Sequence, residues 1–386
     1  MAADINVGLI GYKFMGKAHS NAYMTVDKFF DTTAKPVMKA VCGRDEKAVA
    51  EFAKRWGWES FEILWQELVQ RDDIDLVDIG TPGSTHAAMA IGAAQAGKHV
   101  FCEKPLAPTL DEARRMLHEV RTAGVKHMVN FNYRRVPAVS LAKKMIDSDE
   151  IGEVRHARFT YLQDWLVDPE FPMNWRLRKE SAGSGAHGDL GAHSIDLAHF
   201  LVGDLASVVG QQKTFITERP GEGTSSGITA TAGEGTEEVT VDDASMWLAK
   251  FANGAFGSFE ATRLAPGRKN FNRFEINGSK GTLAWCFEDM NWLEFYKTSC
   301  REHVQGFRRI MATEGCHPYV GNWWPPGHIL GYEHGFVHAV YDLLEDIALD
   351  RPCRPDFRDG AQVVAVLEAV DQSIKSGSWA DVERIE

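Results

Sequence analysis

The chain has 386 residues, 44% of them hydrophobic, a formal net charge of −12 and a sequence pI near 5.6. That length and apolar share sustain at least one large core and more readily two. The acid excess argues against nucleic acid as a bulk partner, which needs a basic face; no stretch approaches the roughly 18 apolar residues of a membrane span.

The start, Met1-Ala2-Ala3-Asp4, lacks the basic and apolar regions of a secretory leader. Residues 6–10 then read as an apolar strand, and a helix opens over 16–23. A strand at 37–42, a helix at 46–56, a strand at 76–79, a helix at 84–96, a strand at 99–102, a helix at 110–123 and a strand at 125–131 follow. Such alternation gives a parallel sheet covered on both faces. The expected first domain is a dinucleotide-binding Rossmann domain over residues 1–131.

From residue 132 the pattern changes. Residues 155–163, 207–217, 244–251, 255–262, 271–277 and 282–287 are strand-like, with turns at Ala252-Asn253-Gly254 and Asn277-Gly278-Ser279. They predict a mostly antiparallel sheet. Helices follow at 332–349 and 360–376. The stretch 219–238, rich in Gly, Thr, Ser and Glu, reads as a mobile loop. The fold class is therefore α/β plus α+β: a doubly wound parallel sheet, then an open sheet domain over 132–386 for substrate binding and oligomerisation. The helix at 360–376 is expected to pack back on the first domain. Six cysteines (Cys42, Cys102, Cys286, Cys300, Cys316, Cys353) form no Cys-x-x-Cys pair and read as free thiols in a reducing cytoplasm.

Gly8-Leu9-Ile10-Gly11-Tyr12-Lys13-Phe14-Met15-Gly16 lies between a strand and a helix. Gly11 suits a tight turn and Gly16 a close helix–strand approach, as a pyrophosphate cradle requires. Lys13 stands where a middle glycine is usual, and could place a cation by the phosphates. The second strand ends at Cys42-Gly43-Arg44-Asp45, without an acid at its tip. Gly43 leaves room for a 2′-phosphate and Arg44 could pair with it, so NAD and NADP both stay open; Asp45 reads equally as a helix cap.

Thr81-Pro82 and Glu103-Lys104-Pro105 end adjacent strands. Proline stops strands, so for Thr81-Pro82 ordinary turn chemistry and a ligand-side role stand equal. An ammonium directly after an apolar strand needs a partner, and Glu103 is the candidate. Further on, Asp189, His193 and Asp196 fall at i, i+4 and i+7 after the glycine run from Gly183. A carboxylate beside imidazole makes a general base; a structural pair and a metal site are the alternatives. Tyr133, Gln163, Trp165 and Arg176 supply the phenol, amide, indole and guanidinium that suit a polyol, or they pack a domain interface. The aromatic, proline-stiffened loop 318–326 caps a site or meets a second subunit.

In this order, the glycine turn, Thr81-Pro82, Glu103-Lys104-Pro105 and Asp189-x-x-x-His193 after a glycine run resemble the Gfo/Idh/MocA oxidoreductases over nearly the whole chain. The motifs Phe14-Met15-Gly16-Lys17-Ala18-His19, Asn132-Tyr133-Arg134-Arg135 and Tyr161-Leu162-Gln163-Asp164-Trp165 are similar to those of its sugar and cyclitol dehydrogenases. The resemblance implies NAD or NADP held by Gly11, Lys13, Phe14, Met15, Gly16, Gly43, Arg44, Thr81, Pro82, His86, Glu103 and Lys104. It implies catalysis by Lys104 and His193 with Asp189 in support, and a carbohydrate substrate met by these three with Tyr133, Gln163, Trp165 and Arg176. The reaction expected is oxidation of a secondary ring hydroxyl to a ketone, at carbon 3 of a sugar, anhydrosugar, glycoside or cyclitol. A homodimer or homotetramer formed through the second sheet is expected too. Rival readings are a redox-neutral lyase or glycosidase using bound NAD, a metal-dependent sugar isomerase, and a non-catalytic NAD(P) sensor.

Overall fold

The computed structural model describes residues 3–226 and 229–386. By internal contacts the chain forms two units. One comprises the chain up to Asn132 with Tyr332–Val364 and Ile385–Glu386; the other comprises Tyr133–Gly331 and Ala365–Arg384.

The first unit begins with β1 (Ala3–Ile10), α1 (Phe14–Phe29), β2 (Ala34–Cys42), α2 (Glu46–Trp56), β3 (Ser60–Glu62) and α3 (Trp65–Gln70). It continues with β4 (Leu76–Ile79), α4 (His86–Gln95), β5 (His99–Cys102), α5 (Leu110–Ala123) and β6 (His127–Val129). Its strands run parallel in the order β3-β2-β1-β4-β5-β6. This is the doubly wound order, whose switch point falls between β1 and β4. Val7, Leu9, Val41, Leu76, Val77 and Val100 are fully buried, because a parallel sheet is covered on both faces. The local signals bound α2 at both ends. Asp45 caps it by accepting from the Ala48 amide at 3.0 Å, and Gly57, at φ 77°, ends it. The short elements β3 and α3 escape the sequence reading, since three and six residues carry little periodicity.

Each strand of this sheet hands its next residue to its neighbour. The amides of Gly11, Gly80, Glu103 and Asn130 donate to Cys42, Ile10, Ile79 and Cys102 carbonyls at 3.0, 2.9, 2.9 and 2.8 Å. Those four residues therefore stand side by side along the carboxyl edge, where open α/β sheets bind ligands.

The second unit holds α6 (Pro137–Asp147), β7 (Val154–Leu162), α7 (Lys179–Ala182), α8 (Ala186–Asp189), α9 (Gly191–Leu201), β8 (Leu205–Lys213), β9 (Glu218–Ser226) and β10 (Thr229–Glu238). Then come β11 (Ala244–Phe251), β12 (Phe256–Thr262), β13 (Phe271–Gly278), β14 (Gly281–Cys286), β15 (Trp292–Lys297), β16 (Arg308–Met311) and β17 (Ala380–Asp381). Among the described residues its large sheet is ordered β16-β15-β14-β13-β7-β12-β11-β8-β17. Only β7 and β12 pair in parallel there; the other pairs are antiparallel.

Two expectations change. The stretch 219–238 is not a mobile loop but the antiparallel hairpin β9–β10, although Gly227 and Ile228 lie outside the described residues. Its glycines serve close strand approach: a Cβ at Gly221 would lie 2.4 Å from the Glu234 carbonyl oxygen, and one at Gly233 2.5 Å from that of Glu222. The remaining helices are α10 (His334–Ala348) and α11 (Phe357–Ser376). Residues 332–364 group with the first unit instead of the second. There α10 packs on α1, with the Phe30 and Tyr341 rings 4.6 Å apart and Glu345 accepting from the Thr33 amide at 2.6 Å. No described helix is long and apolar enough to cross a membrane.

Candidate active site

In the first unit the glycine turn has the shape its spacing predicts. Gly11 takes φ 107°, and a Cβ there would lie 2.8 Å from the Gly80 carbonyl oxygen. A Cβ at Gly16 would lie 2.3 Å from the Gly11 oxygen, so only glycine lets α1 start this close to β1. Lys13 is the N-cap of α1 at φ −79° and ψ −138°; its φ is negative, so this position does not call for the left-handed backbone that favours glycine. No acidic residue stands in the first turn of α1. A bare helix start behind a glycine turn fits a pyrophosphate. Phe14 is half exposed and stacks on Tyr332 at 6.2 Å, while Met15 follows, half-buried.

A Cβ at Gly43 would lie 2.2 Å from the Tyr12 ring, so the lack of a side chain here admits the tyrosine. Arg44 is exposed beside it.

Thr81 and Pro82 follow β4, and Thr81 Oγ1 lies 2.7 Å from Thr85 Oγ1. His86 is buried. Its Nε2 is 2.8 Å from the Thr81 carbonyl oxygen, and its Nδ1 is 3.1 Å from that of Pro105. It therefore braces the two strand-end turns against each other from behind, and burial pushes its imidazole pKa down.

Lys104 is half-buried and precedes a cis peptide to Pro105. Glu103 relates to it through the main chain: Glu103 Oε2 accepts the Lys104 amide at 3.2 Å. Glu103 Oε1 accepts from His19 Nε2 at 2.9 Å and from Asn130 Nδ2 at 2.6 Å. Burial alone would raise its pKa, but the His19 bond and charge, then Asn130 and Lys104, hold it below the usual range.

In the second unit, Asp242 shapes the glycine run by accepting from the Gly185 and His187 amides, both at 2.7 Å. Asp189 closes α8 and His193 lies in α9, with Leu190 between them. The single helix expected from the spacing is thus two abutting helices, and the His193 amide bonds to the Leu190 carbonyl at 3.1 Å. His193 is buried against Tyr133, ring centroids 4.5 Å apart, and Tyr161, at 5.8 Å.

Asp189 accepts from Arg263 Nη2 at 2.8 Å, and Asp196 takes both forks of Arg134 at 2.6–2.9 Å. The metal reading of this triplet thus has both carboxylates held by guanidinium groups. Among the described residues no group of three or more His, Cys, Asp or Glu could hold a metal ion.

Of the four residues expected to meet a polyol, Tyr133, Gln163 and Trp165 form a linked set. Tyr133 and Tyr161 share a hydroxyl–hydroxyl bond of 2.8 Å, and Tyr161 donates to Asn270 Oδ1 at 2.6 Å. Gln163 donates to the same oxygen at 3.1 Å and accepts from Trp165 Nε1 at 2.9 Å. Arg176 stacks on Trp175 at 4.3 Å, and burial lowers its pKa.

The residues missed from sequence are His19, Asp78, Asn130, Arg263 and Asn270. A signal existed for three of them. Asp78 is an acid inside an apolar strand, Arg263 a lone cation after one, and His19 one turn into α1 on the Gly16 face.

A family model described as "Oxidoreductase family, NAD-binding Rossmann fold" matches residues 5–131, and one described as "GFO/IDH/MocA C-terminal domain" matches 139–284. The chain is 43% identical over 387 residues to a levoglucosan dehydrogenase of Pseudarthrobacter phenanthrenivorans, covering 99% of each. The crystal structure of an oxidoreductase domain protein from Kribbella flavida is similar at 51% identity and TM-score 0.94, over 99% of this chain and 100% of that one. A levoglucosan dehydrogenase in complex with NADH and L-sorbose is similar at 42% identity and TM-score 0.95, with the same coverage.

Proposed function

From the membership of this chain in the Gfo/Idh/MocA family of NAD-binding oxidoreductases, we propose that it oxidises a secondary ring hydroxyl of an anhydrosugar or a related sugar, glycoside or cyclitol to the ketone. Bound NAD supplies the hydride acceptor. His193 takes the hydroxyl proton, and its contact with the Tyr133 ring fixes the imidazole plane. The Lys104 ammonium donates to the substrate oxygen and stabilises the charge that grows there as hydride departs. Asp189, oriented by Arg263, accepts a neighbouring hydroxyl. Tyr133, Gln163, Trp165 and Arg176 complete the carbohydrate pocket.

The observation that carries this reading is the position of Lys104. It follows Glu103 on the sheet edge that also presents Gly11 and Gly80 at the switch point, where a dinucleotide belongs. Levoglucosan leads the substrate choice, because a relative matched over its whole length bears that name. Carbon 3 is the proposed site of oxidation. NAD is the working cofactor, and use of NADP rests on Arg44. The open sheet also presents Met246, Leu248 and Phe256 to solvent, which supports burial of that face in a homodimer or homotetramer.

Reduced-nicotinamide absorbance, followed with levoglucosan, inositols, glucose, xylose and alkyl glucosides against NAD and NADP, tests the reading. Stoichiometric NADH formation on a cyclic polyol is expected. The Lys104→Ala enzyme should lose about 100-fold or more in kcat while still binding NADH. Absence of turnover across the panel, or near-normal kcat in Lys104→Ala, would overturn it.

A further inference from the structure

We infer that His19 is a positioning residue for Lys104, working as an imidazolium that fixes Glu103. The inference rests on the proposed role of Lys104. Sheet register sets up the cluster: Asp78 pairs with Phe101, and Cys102 with Val129. Asp78, Glu103 and Asn130 thereby project from the same face of the sheet. Helix α1 covers that face and lays His19 and Tyr23, one turn apart, against it. His19 is fully buried, with Phe101 and Phe336 rings 5.3 and 5.5 Å from its own.

Its two nitrogens face two different carboxylates. Nδ1 lies 2.9 and 2.7 Å from the Asp78 oxygens, and Nε2 lies 2.9 Å from Glu103 Oε1. A neutral imidazole has one N–H, so either tautomer would press a lone pair against a carboxylate in a dry interior. Asn130 Nδ2 also lies 3.1 Å from Nε2, but its shorter bond, 2.6 Å, goes to Glu103 Oε1, and the doubly protonated ring is the form that donates to both carboxylates at once. Tyr23 donates to Asp78 at 2.8 Å, Asn130 donates to Glu103, and the charge of Lys104 also favours ionised Glu103. A hydrophobic pair would pack this interface as well without the cost of burying ions. What the cluster adds is a fixed Glu103, whose second oxygen holds the Lys104 amide. The chain of bonds runs from Tyr23 through Asp78, His19 and Glu103 to the backbone of Lys104.

The test compares wild type, His19→Gln, Glu103→Gln and Lys104→Ala in the full chain. Nitrogen-15 NMR of histidine-labelled protein, with the His19 signals assigned by their loss in His19→Gln, should show both ring nitrogens protonated at pH 8. Both His19→Gln and Glu103→Gln should lower kcat on the order of 10- to 100-fold, the usual effect of a slightly misplaced catalytic group. The NADH dissociation constant, read by fluorescence, should stay within about twofold of wild type in His19→Gln, as expected when binding is separate from the chemical step. One protonated nitrogen at pH 8 would overturn the inference. So would wild-type kcat in His19→Gln, or a kcat restored by cooling to a temperature where the variant is fully folded. Should His19→Gln not fold, Glu103→Gln carries the kinetic arm and the wild-type spectrum the NMR arm. Wild-type kcat in Lys104→Ala would instead sink the underlying reading of Lys104.

Discussion

Arg263 donates to the Asp189 carboxylate at 2.8 Å from an almost fully buried position. The same Nη2 reaches the Gly185 carbonyl at 3.1 Å, and the guanidinium lies 5.6 Å from the centre of the Trp165 ring. One side chain thus ties the glycine run, the acid and the indole together.

Arg263→Met should therefore release Asp189 and loosen the pocket wall. Breaking a buried pair costs about 3–5 kcal/mol, and the partial exposure of Asp189 reduces that to about 1–3 kcal/mol. A lower melting temperature is expected, along with a KM for the polyol raised about tenfold and a smaller change in kcat. Arg263→Lys should recover the charge but not the fork, and so only part of the KM. Unchanged KM in Arg263→Met would show that Asp189 needs no anchor.

How far the sequence carried the reading follows from which signals are local. The edges of α2 and α5 were legible because Asp45 and Thr109 cap them and Gly57 and Gly124 end them. Lys104 was legible as a charge after an apolar strand. The β9–β10 hairpin was not, because the partners that hold it, Arg178 and the carbonyls of residues 166–171, lie far from it in sequence. Arg178 bonds to Glu222 and Glu237, and buried Arg219 donates to the Leu166, Asp168 and Phe171 carbonyls. Composition in that stretch reports only glycine and acid. The partners of Glu103 and Asp189 were illegible for the same reason: His19 is 84 residues from Glu103, and Arg263 is 74 from Asp189.

Arg44 separates the two cofactors. Arg44, exposed beside Gly43 at the end of β2, is the residue proposed to pair with a 2′-phosphate. Arg44→Ala should raise KM for NADP by the worth of a charge-assisted bond, about 1–3 kcal/mol, and spare NAD. Equal effects on both cofactors would mean that Arg44 stacks on the adenine or faces solvent.

His193 and Asp189 are distinguished by paired measurements of kcat and melting temperature. If His193 is the base, kcat/KM for alcohol oxidation rises with pH through one ionisation, and that limb is absent in His193→Asn, with activity greatly reduced. Asp189→Asn should keep the fold and lower activity less. A pair that merely ties two helices together would instead lower the melting temperature of both variants and leave kcat in place.

Stability against pH reports the charge on His19 without reference to turnover. Burial alone would lower its pKa, but Asp78 and then Glu103 outweigh burial and raise it to about 10. Below the ordinary imidazole value near 6.5, folded and unfolded chains both hold the proton and the stabilisation is complete. Between there and about 10 only the folded chain holds it, so unfolding releases a proton and stability falls with rising pH, by up to ~1.4 kcal/mol per unit. Tyr23, raised well above its ordinary value by burial and by Asp78, stays neutral through that window. The buried Cys42 thiol, pushed up to about 12, adds its own loss at the alkaline end. Cys42 remains in His19→Gln, so the stability difference between the two proteins isolates the imidazolium cluster. Urea midpoints at pH 6, 8 and 9.5 should show the wild-type advantage over His19→Gln shrinking by a few kcal/mol across the range. A constant advantage would mean that the His19 ring is neutral in the folded chain, and that Glu103 is held by Asn130 and the Lys104 amide alone.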